Sequence, residues 1–355
     1  MVFEALPSGS RIGILGGGQL GRMLALAAAR LGMRCHVFEP AADPCAGHVV
    51  DRVTRADYDD VAALRAFAAS VDVISYEFEN VPLAAIDAVV EIAPVRPGRR
   101  ALEAAQDRLA EKDFLRATGL KTASYATVED ADTLDDALGE IGAPSILKTR
   151  RLGYDGKGQA RIMGLRDAAA AWKSMAGAPS VLEGFIDFER EISVIAARGG
   201  DGAVVAFDPG ENVHRDGILR TTTIPAAIKA SVAQDAVLIA GRILNALDYV
   251  GVIGVELFVT HAGLVVNEFA PRVHNSGHWT QDACLIDQFE QHVRAICGWP
   301  LGDGSRHSDA VMANLLGDDI TGAAATAGAA IHVYGKPEPR PGRKMGHVTR
   351  ITPRG

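Results

Sequence analysis

The sequence predicts an α/β protein that opens with a doubly wound parallel sheet, continues into a larger mixed unit and ends in a short β-rich segment. Strand and helix signals alternate through the first hundred residues, which is typical of crossover units and a parallel sheet. Two apolar strand signals joined by a short turn at 261–263 predict a hairpin further on. We place the domain boundaries at 1–110, 111–306 and 307–355, since 355 residues suffice for two or three domains.

The first block contains three short apolar strands, predicted at residues 11–15, 34–38 and 71–74. Leucine and alanine recur at helical spacing between residues 20 and 31, which predicts a helix between the first two strands. A stretch rich in Ala, Glu and Lys predicts one further helix at about 100–117.

The later elements follow a different pattern. They comprise a predicted helix at 228–247 and predicted strands at 121–127, 145–149, 191–197, 252–259 and 263–269. A Gly-rich loop lies among the first of these strands, and the Ala/Gly-rich run at 322–330 predicts a loop with a small helix. The change of pattern indicates a second architecture after the parallel sheet.

Composition excludes several classes of protein. Hydrophobic residues make up 48% and charged residues 23%, which argues against a disordered chain, a fibre or a coiled coil. No apolar run is long enough to cross a membrane, and no secretion signal is recognisable. A net charge of −8 argues against a general nucleic-acid binder. The four cysteines form no C-x-x-C pair, so we expect reduced thiols and a cytoplasmic protein.

A glycine turn near the N-terminus is the first candidate binding feature. Residues 16–21 match G-x-G-x-x-G between a strand and a helix, and Glu39 ends the next strand, where dinucleotide folds keep a ribose-binding acid. A nicotinamide dehydrogenase is therefore one alternative, and a tight turn without a ligand is another. Gln19 could present its side chain into the crevice at the strand ends.

Two acids follow the third predicted strand. Glu77 and Glu79 lie beyond its carboxyl end, which is where ligands bind in open α/β sheets. They could bind an amine or a hydroxyl group of a substrate. The alternative is a pair of solvated loop acids.

A lysine on a strand followed by a glycine loop predicts a phosphate site. Lys148 precedes a loop at 153–159 in which Lys157 lies between Gly156 and Gly158. Backbone N–H groups of such a loop can wrap phosphate oxygens, and the two lysines can neutralise developing negative charge.

Two glutamates in the predicted hairpin indicate a metal site. If the turn centres on Ala262, Glu256 lies directly opposite Glu268, with Asn267 beside it. Opposed like charges in an apolar ladder are destabilising unless a cation lies between them, and Mg²⁺ favours carboxylate and phosphate oxygens. A register shifted by one residue would instead send the glutamates to opposite faces.

Together these motifs resemble the ATP-grasp superfamily and, within it, the 5-(carboxyamino)imidazole ribonucleotide synthetases of purine biosynthesis. The resemblance covers nearly the whole chain. It rests on GGGQLGRM at 16–23, the loop at 151–159, HRDGILRT at 214–221, NEFAPRVHNSGHWT at 267–280 and RPGRKMGH at 340–347. It implies an ATP-grasp fold whose lid subdomain, at about 118–182, closes over ATP. The implied reaction carboxylates the amine of 5-aminoimidazole ribonucleotide with ATP and bicarbonate through carboxyphosphate, releasing ADP and phosphate.

The resemblance also implies roles for individual residues. The implied ATP contacts are Arg108, Lys148, Gly153, Tyr154, Asp155, Gly156, Lys157, Gly158, Gln159, Glu183, Gly184, Phe185, Ile186, Glu191, His214, Asn267 and Glu268. The implied magnesium ligands are Glu256 and Glu268. Arg272, His274 and Asn275 would hold bicarbonate and, with Lys148, carry the catalysis. Position 157 is Lys where some relatives carry Arg, which keeps the charge and loses the bidentate fork.

The implied contacts to the aminoimidazole ribonucleotide are Gln19, Leu20, Glu77, Tyr154, Asp155, Lys336, Arg343 and Lys344. The last three would clamp its 5′-phosphate. A homodimer is expected from the resemblance. Three other functions remain open, namely a formate-dependent glycinamide ribonucleotide transformylase, the nicotinamide dehydrogenase, and a nucleotide sensor that binds ATP without turnover.

Overall fold

The computed structural model describes residues 4–153 and 156–355, so the predicted loop residues Tyr154 and Asp155 lie outside the described residues. Within these ranges no helix has the length and apolar character needed to cross a membrane.

The N-terminal unit is a parallel sheet covered by helices, as predicted. Its elements are β1 (Arg11–Leu15), α1 (Gln19–Arg30), β2 (Arg34–Phe38), β3 (Arg52–Thr54), α2 (Val61–Ala68), β4 (Val73–Tyr76) and α3 (Leu83–Val89). The strand order is β3-β2-β1-β4, with all three pairings parallel. Strand β4 begins two residues later than predicted, because the Asp72 side chain instead accepts the Arg11 N–H at 2.7 Å. The carboxyl ends of β1 and β4 therefore lie side by side.

Two helices replace the single helix predicted at about 100–117. They are α4 (Arg99–Ala105) and α5 (Arg108–Ala117). The chain is extended at Asp107, where the side chain caps α5 by accepting the Leu109 N–H at 3.0 Å. An aspartate cap satisfies an N–H that the helix itself cannot, so it begins a new helix here.

A small antiparallel sheet, here called the lid sheet, lies in the segment predicted to be the lid. Its elements are β5 (Tyr125–Val128), α6 (Ala131–Ile141), β6 (Ser145–Thr149), β7 (Gln159–Ile162), α7 (Ala168–Ser174) and β8 (Ser180–Gly184). The order β5-β8-β6-β7 places Lys148 of β6 in the middle of the sheet. Helices α6 and α7 pack their apolar sides on this sheet through Leu134, Leu138 and Ala171.

The remaining strands form one large sheet. The elements are β9 (Arg190–Arg198), β10 (Val204–Ala206), β11 (Gly210–Arg215), β12 (Ile218–Ile224), α8 (Ala230–Ala246), β13 (Gly251–Thr260), β14 (Gly263–Ala270), α9 (Thr280–Ala283), α10 (Gln288–Ile296), β15 (Ser308–Leu316), β16 (Ala330–Val333) and β17 (Lys344–Pro353). The order is β14-β13-β9-β11-β12-β15-β17-β16, with β10 pairing β9. The C-terminal strands thus extend the sheet that carries the hairpin, and do not form a sheet of their own.

The hairpin has the predicted pairing of Glu256 with Glu268, but its turn differs from the predicted one. Thr260 pairs with Gly263, so the turn consists of His261 and Ala262 and is not centred on Ala262. That turn alone would place Glu256 opposite Asn267. A β-bulge adds one residue to β14 between the pairs of Leu257 and Glu256, and Glu256 therefore pairs with Glu268.

Candidate active site

A cavity of about 1260 Å³ lies between the lid sheet, the large sheet and the strand ends of the N-terminal sheet. Most of the predicted site residues line it. They are Gln19, Leu20, Glu77, Arg108, Lys148, Gly153, Gly156, Lys157, Gln159, Glu183, Gly184, Phe185, Ile186, Glu191, His214, Glu256, Asn267, Glu268, Arg272, His274, Asn275 and Lys344. Residues from all three parts of the chain thus share one space.

Among the described residues, three predicted site residues lie away from the cavity lining. Gly158 packs closely against Thr149. Its carbonyl accepts the Thr149 N–H at 2.8 Å, and an added Cβ on Gly158 would lie 2.4 Å from the Thr149 Oγ1. The Arg343 guanidinium donates to the carbonyls of two neighbouring loop residues, at 2.8 and 3.0 Å. The Lys336 ammonium lies 5.9 Å from the centre of the Tyr334 ring. Of the predicted phosphate clamp, Lys344 is the member that faces the cavity.

The glycine turn is occupied by the chain's own carboxylates. Glu77 accepts the N–H groups of Gly18 and Gly21, the latter at 2.7 Å, while Glu39 accepts the Gly17 N–H at 2.8 Å. Burial raises the pKa of Glu77, which the two backbone donors only partly offset. The anion position at the start of α1 is therefore filled. This arrangement disfavours a dinucleotide, whose pyrophosphate needs the same N–H groups.

A buried charge cluster lies beneath the lid sheet. The Glu183 carboxylate accepts from the Lys148 ammonium at 3.0 Å and lies 3.3 Å from the Lys112 ammonium. Burial would raise the pKa of Glu183, but the two lysines and Arg108 outweigh it and hold the pKa at about 2. The second oxygen, Oε1, has no hydrogen-bond partner among the described residues. The cluster keeps Lys148 in place at the cavity wall.

Helix α5 holds the bulged strand through three side chains. The Arg108 guanidinium donates to Glu268 at 2.7 Å, the Lys112 ammonium donates to the Asn267 carbonyl at 2.6 Å, and Glu111 accepts the Phe269 N–H at 2.7 Å. Glu111 and Lys112 are absent from the sequence prediction. Their spacing from Arg108 places all three on one helical face. That pattern was a usable signal, but the same charges are typical of a solvated helix.

The pKa of Glu111 predicts a measurable pH effect. Burial, together with the nearby Glu268, raises this pKa from 4.5 to about 8. The folded protein thus holds a proton that the unfolded chain releases, so stability should fall as the pH rises from about 5 towards 8. We expect the fall in the free energy of unfolding between pH 6 and pH 8.5 to be about 2 kcal/mol smaller in Glu111→Gln than in the wild type, because the amide mimics the protonated acid. Urea unfolding at pH 6 and pH 8.5 measures the effect.

The exposed Glu140 provides the matched control. Glu140→Gln should leave the pH dependence of the unfolding free energy as it is in the wild type. A Glu111→Gln variant with an unchanged pH dependence would show that Glu111 is ionised in the folded protein.

Polar pairs line the remaining walls of the cavity. The Glu191 carboxylate is hydrogen-bonded to the His214 ring, and the His274 Nε2 lies 3.1 Å from a Glu256 oxygen. Burial lowers the pKa of His214, but Glu191 and the hairpin glutamates outweigh it and raise the net value. Glu191 and the hairpin glutamates thus favour a charged His214 imidazole.

A small polar pocket opens next to the hairpin. Asn275 is buried, and neither its Oδ1 nor its Nδ2 has a hydrogen-bond partner among the described residues. Arg272 and His274, which precede Asn275 by three residues and by one residue in the chain, also line the cavity. An unpaired amide next to a guanidinium and an imidazole can bind a small planar anion that offers both donor and acceptor groups.

Family models match most of the chain. The ribonucleotide synthetase preATP-grasp domain matches residues 10–106, the ATP-grasp domain matches residues 113–289, and the phosphoribosylaminoimidazole carboxylase C-terminal domain matches residues 310–354. The N5-carboxyaminoimidazole ribonucleotide synthase of Brucella melitensis is 56% identical, over 99% of this chain and 98% of that protein. The chain belongs to the N5-carboxyaminoimidazole ribonucleotide synthase family.

Solved structures of this synthase family share the fold. An ADP complex of N5-carboxyaminoimidazole ribonucleotide synthetase superposes with a TM-score of 0.96 and is 39% identical, covering 99% of this chain and 94% of that one. The Aspergillus clavatus synthase, in complex with ADP and 5-aminoimidazole ribonucleotide, gives a TM-score of 0.92 at 30% identity, covering 98% and 94%. The predicted family and fold class are confirmed.

Proposed function

We propose that this chain carboxylates the exocyclic amine of 5-aminoimidazole ribonucleotide with ATP and bicarbonate and releases ADP and phosphate, a step of purine biosynthesis. The observation that carries the proposal is the continuity of one cavity, which joins the lysine-lined lid to the polar pocket at Arg272, His274 and Asn275. The family of the chain supports the same chemistry.

The proposed reaction has three steps. A bicarbonate oxygen attacks the γ-phosphorus of ATP, and the bond to the leaving ADP oxygen breaks to give carboxyphosphate. Carboxyphosphate then separates into CO₂ and phosphate. The substrate amine attacks the carbon of CO₂ and loses a proton, which leaves the carbamate. Lys148 and Lys157 of the lid stabilise the charge that develops on the transferred phosphoryl group.

The polar pocket holds bicarbonate next to the transferred phosphoryl group. Arg272 supplies a planar set of donors, while the Asn275 amide supplies one further donor and an acceptor for the bicarbonate hydroxyl. The His274 ring is oriented by the Ser276 hydroxyl, 2.8 Å from its Nδ1, and by Glu256 at its Nε2. Binding and orientation, with exclusion of water by the lid, protect carboxyphosphate from hydrolysis.

The hairpin glutamates fit a magnesium ion. Glu256 and Glu268 are direct cross-strand partners on one face, and both line the cavity. Their oxygens are the ligands that Mg²⁺ prefers, together with phosphate oxygens and water. Magnesium bound there would neutralise the negative charge of the ATP phosphates.

The nucleoside end of ATP is assigned to the end of β8 and the adjacent wall. Residues 183–186 line the cavity where the lid sheet meets the large sheet, and their backbone groups would bind adenine. The hydrogen-bonded pair of Glu191 and His214 would bind the ribose hydroxyls. Arg108 and Asn267 complete this part of the site next to the phosphates.

Lys344 provides a test of the substrate end. Of the three residues predicted to bind the 5′-phosphate of the ribonucleotide, Lys344 lines the cavity, and the predicted substrate contacts Gln19, Leu20 and Glu77 line it as well. We expect Lys344→Ala to raise the KM for the ribonucleotide by about tenfold, because one charge-assisted contact is lost. The KM for ATP should change little. Steady-state ADP release measures both, and Lys173→Ala, at an exposed helix position, is the control.

Assembly and location are part of the same proposal. We expect a homodimer, which sedimentation velocity tests directly. A cytoplasmic location agrees with four cysteines that are all buried and unbridged.

An ADP-release assay tests the proposed function. Release should require both bicarbonate and 5-aminoimidazole ribonucleotide, and it should not be supported by formate with glycinamide ribonucleotide. Formate-dependent release would instead identify a transformylase, and ATP binding without turnover would identify a sensor. A change in nicotinamide absorbance would identify a dehydrogenase.

A further inference from the structure

An ion pair joins the N-terminal unit to the polar pocket. Glu79 lies in the loop after β4, and Arg272 lies 193 residues later, just beyond β14. The Arg272 Nε donates to a Glu79 oxygen at 2.7 Å, and the Arg272 Nη2 lies 2.6 Å from the same oxygen. Both side chains are largely buried and both residues line the cavity. The sequence prediction placed Arg272 in the bicarbonate pocket but gave Glu79 no role there.

The contacts leave one edge of the guanidinium available. An arginine has five N–H donors, of which Nε carries one and each Nη carries two. Glu79 accepts from Nε and forms an ion pair with Nη2, and the Val273 carbonyl accepts from Nη1 at 3.1 Å. One donor on each Nη has no further partner among the described residues. Two such parallel donors match the two oxygens of a planar anion.

The loop that carries Glu79 is itself held firmly. Two residues earlier, Glu77 caps the start of α1 through the Gly18 and Gly21 N–H groups, and its own N–H donates to the Leu15 carbonyl at 3.0 Å. The side chains of Glu77 and Glu79 thus serve different partners from one short segment. The first fastens the segment to the glycine turn, and the second reaches Arg272.

Arg272 also has competing acidic neighbours. Burial lowers its pKa, but Glu79 above all, with smaller contributions from Glu77 and Glu268, outweighs burial and raises the net value. Without the Glu79 charge, the guanidinium would be attracted towards the glutamates of the glycine turn and of the hairpin. Its orientation therefore depends on Glu79.

We propose that Glu79 is a positioning residue for carboxylation, which holds the Arg272 guanidinium so that its outer edge faces the bicarbonate position. The inference rests on the proposed function, because it assumes that bicarbonate binds at Arg272. Glu79 acts through Arg272 and contributes no bond to the reacting atoms.

A double-mutant cycle in the full-length chain tests the proposal. The variants are Glu79→Gln, Arg272→Lys and the two combined, and the readouts are the KM for bicarbonate, the KM for ATP and the melting temperature. Each single substitution should raise the KM for bicarbonate by about tenfold or more and leave the KM for ATP within about twofold. The double variant should be no worse than Arg272→Lys alone, within about twofold, because both changes remove the same oriented fork.

Glu290 offers a matched control outside the cavity. There the Arg294 Nε and Nη2 also donate to one buried glutamate oxygen, at 2.9 and 2.8 Å. Glu290→Gln should leave the KM for bicarbonate at the wild-type value, whatever it does to the melting temperature. A rise of the same size in Glu290→Gln would reduce the effect at Glu79 to general destabilisation and overturn the proposal.

Other outcomes distinguish a failure of the positioning role of Glu79 from a failure of the proposed function. If wild-type ADP release depends on bicarbonate but Glu79→Gln keeps the wild-type KM, the positioning role is wrong while the proposed function stands. The positioning role would also be overturned if the rise in the KM for bicarbonate in the double variant equalled the product of the two single rises. An equal rise in the KM for ATP would overturn it as well. Wild-type ADP release without any bicarbonate dependence would overturn the proposed function and the inference with it.

Discussion

Glu268→Gln should abolish ADP formation while the protein remains folded. The amide keeps the shape of the side chain and an oxygen that can accept from Arg108, so the contact between α5 and β14 survives in neutral form. It removes the negative charge that the paired glutamates would offer to a divalent cation. We expect a loss of about 100-fold or more in kcat, since phosphoryl transfer depends on neutralising the phosphate charge.

The measurement is ADP release at saturating substrates over a range of magnesium concentrations, with circular dichroism and thermal melting as the test of folding. Glu103→Gln is the control, because Glu103 pairs with Arg99 at an exposed position away from the cavity. Normal turnover by a folded Glu268→Gln variant would show that the magnesium assignment is wrong.

Lys112→Met should have the largest effect on stability. The Lys112 ammonium is 1% exposed and contacts both the Asn267 carbonyl and the Glu183 carboxylate. Its removal leaves the partly buried Asn267 carbonyl without this donor and leaves Glu183 with one lysine fewer beside it. We expect the free energy of unfolding to fall by about 3 kcal/mol, as is usual when one member of a buried ion pair is lost.

Urea unfolding at pH 7 measures this change, and Lys173→Met, at an exposed position on α7, should shift the unfolding free energy by less than about 0.5 kcal/mol. ADP release by the folded fraction of Lys112→Met should also fall, because α5 would lose one of its three contacts to the bulged strand, the one at Asn267. A Lys112→Met variant as stable as the wild type would mean that the Asn267 and Glu183 contacts contribute little net energy.

The sequence predicted the fold class well where patterns are local. Short apolar strands and helical spacing placed β1, α1 and β2 correctly, and the motifs at 267–280 indicated the family. The break between α4 and α5 was missed, because the capping role of Asp107 depends on an extended backbone that periodicity does not reveal. Strand β5 was predicted to begin at residue 121 but begins at Tyr125, because residues 121–124 have no partner strand in the lid sheet.

The hairpin shows how a correct pairing can rest on an incorrect turn. The opposition of Glu256 and Glu268 was confirmed, although the turn is one residue shorter than assumed and a bulge at Asn267 restores the register. A bulge leaves no clear pattern in a single sequence. The partners of Glu79 in Arg272, of Glu111 in Phe269 and of Lys112 in Asn267 were missed as well, because each of these contacts joins residues more than 150 positions apart.

The continuous large sheet limits how the chain can be dissected. A fragment that stops at residue 306 would lose β15 and leave the edge of β12 that faces β15 unpaired along residues 221–224, although the other edge would still pair with β11. Open strands of this kind recruit strands from other molecules, so such a fragment would aggregate even if every residue of the hairpin were intact. Truncations and new chain ends within the last fifty residues should therefore disrupt the large sheet.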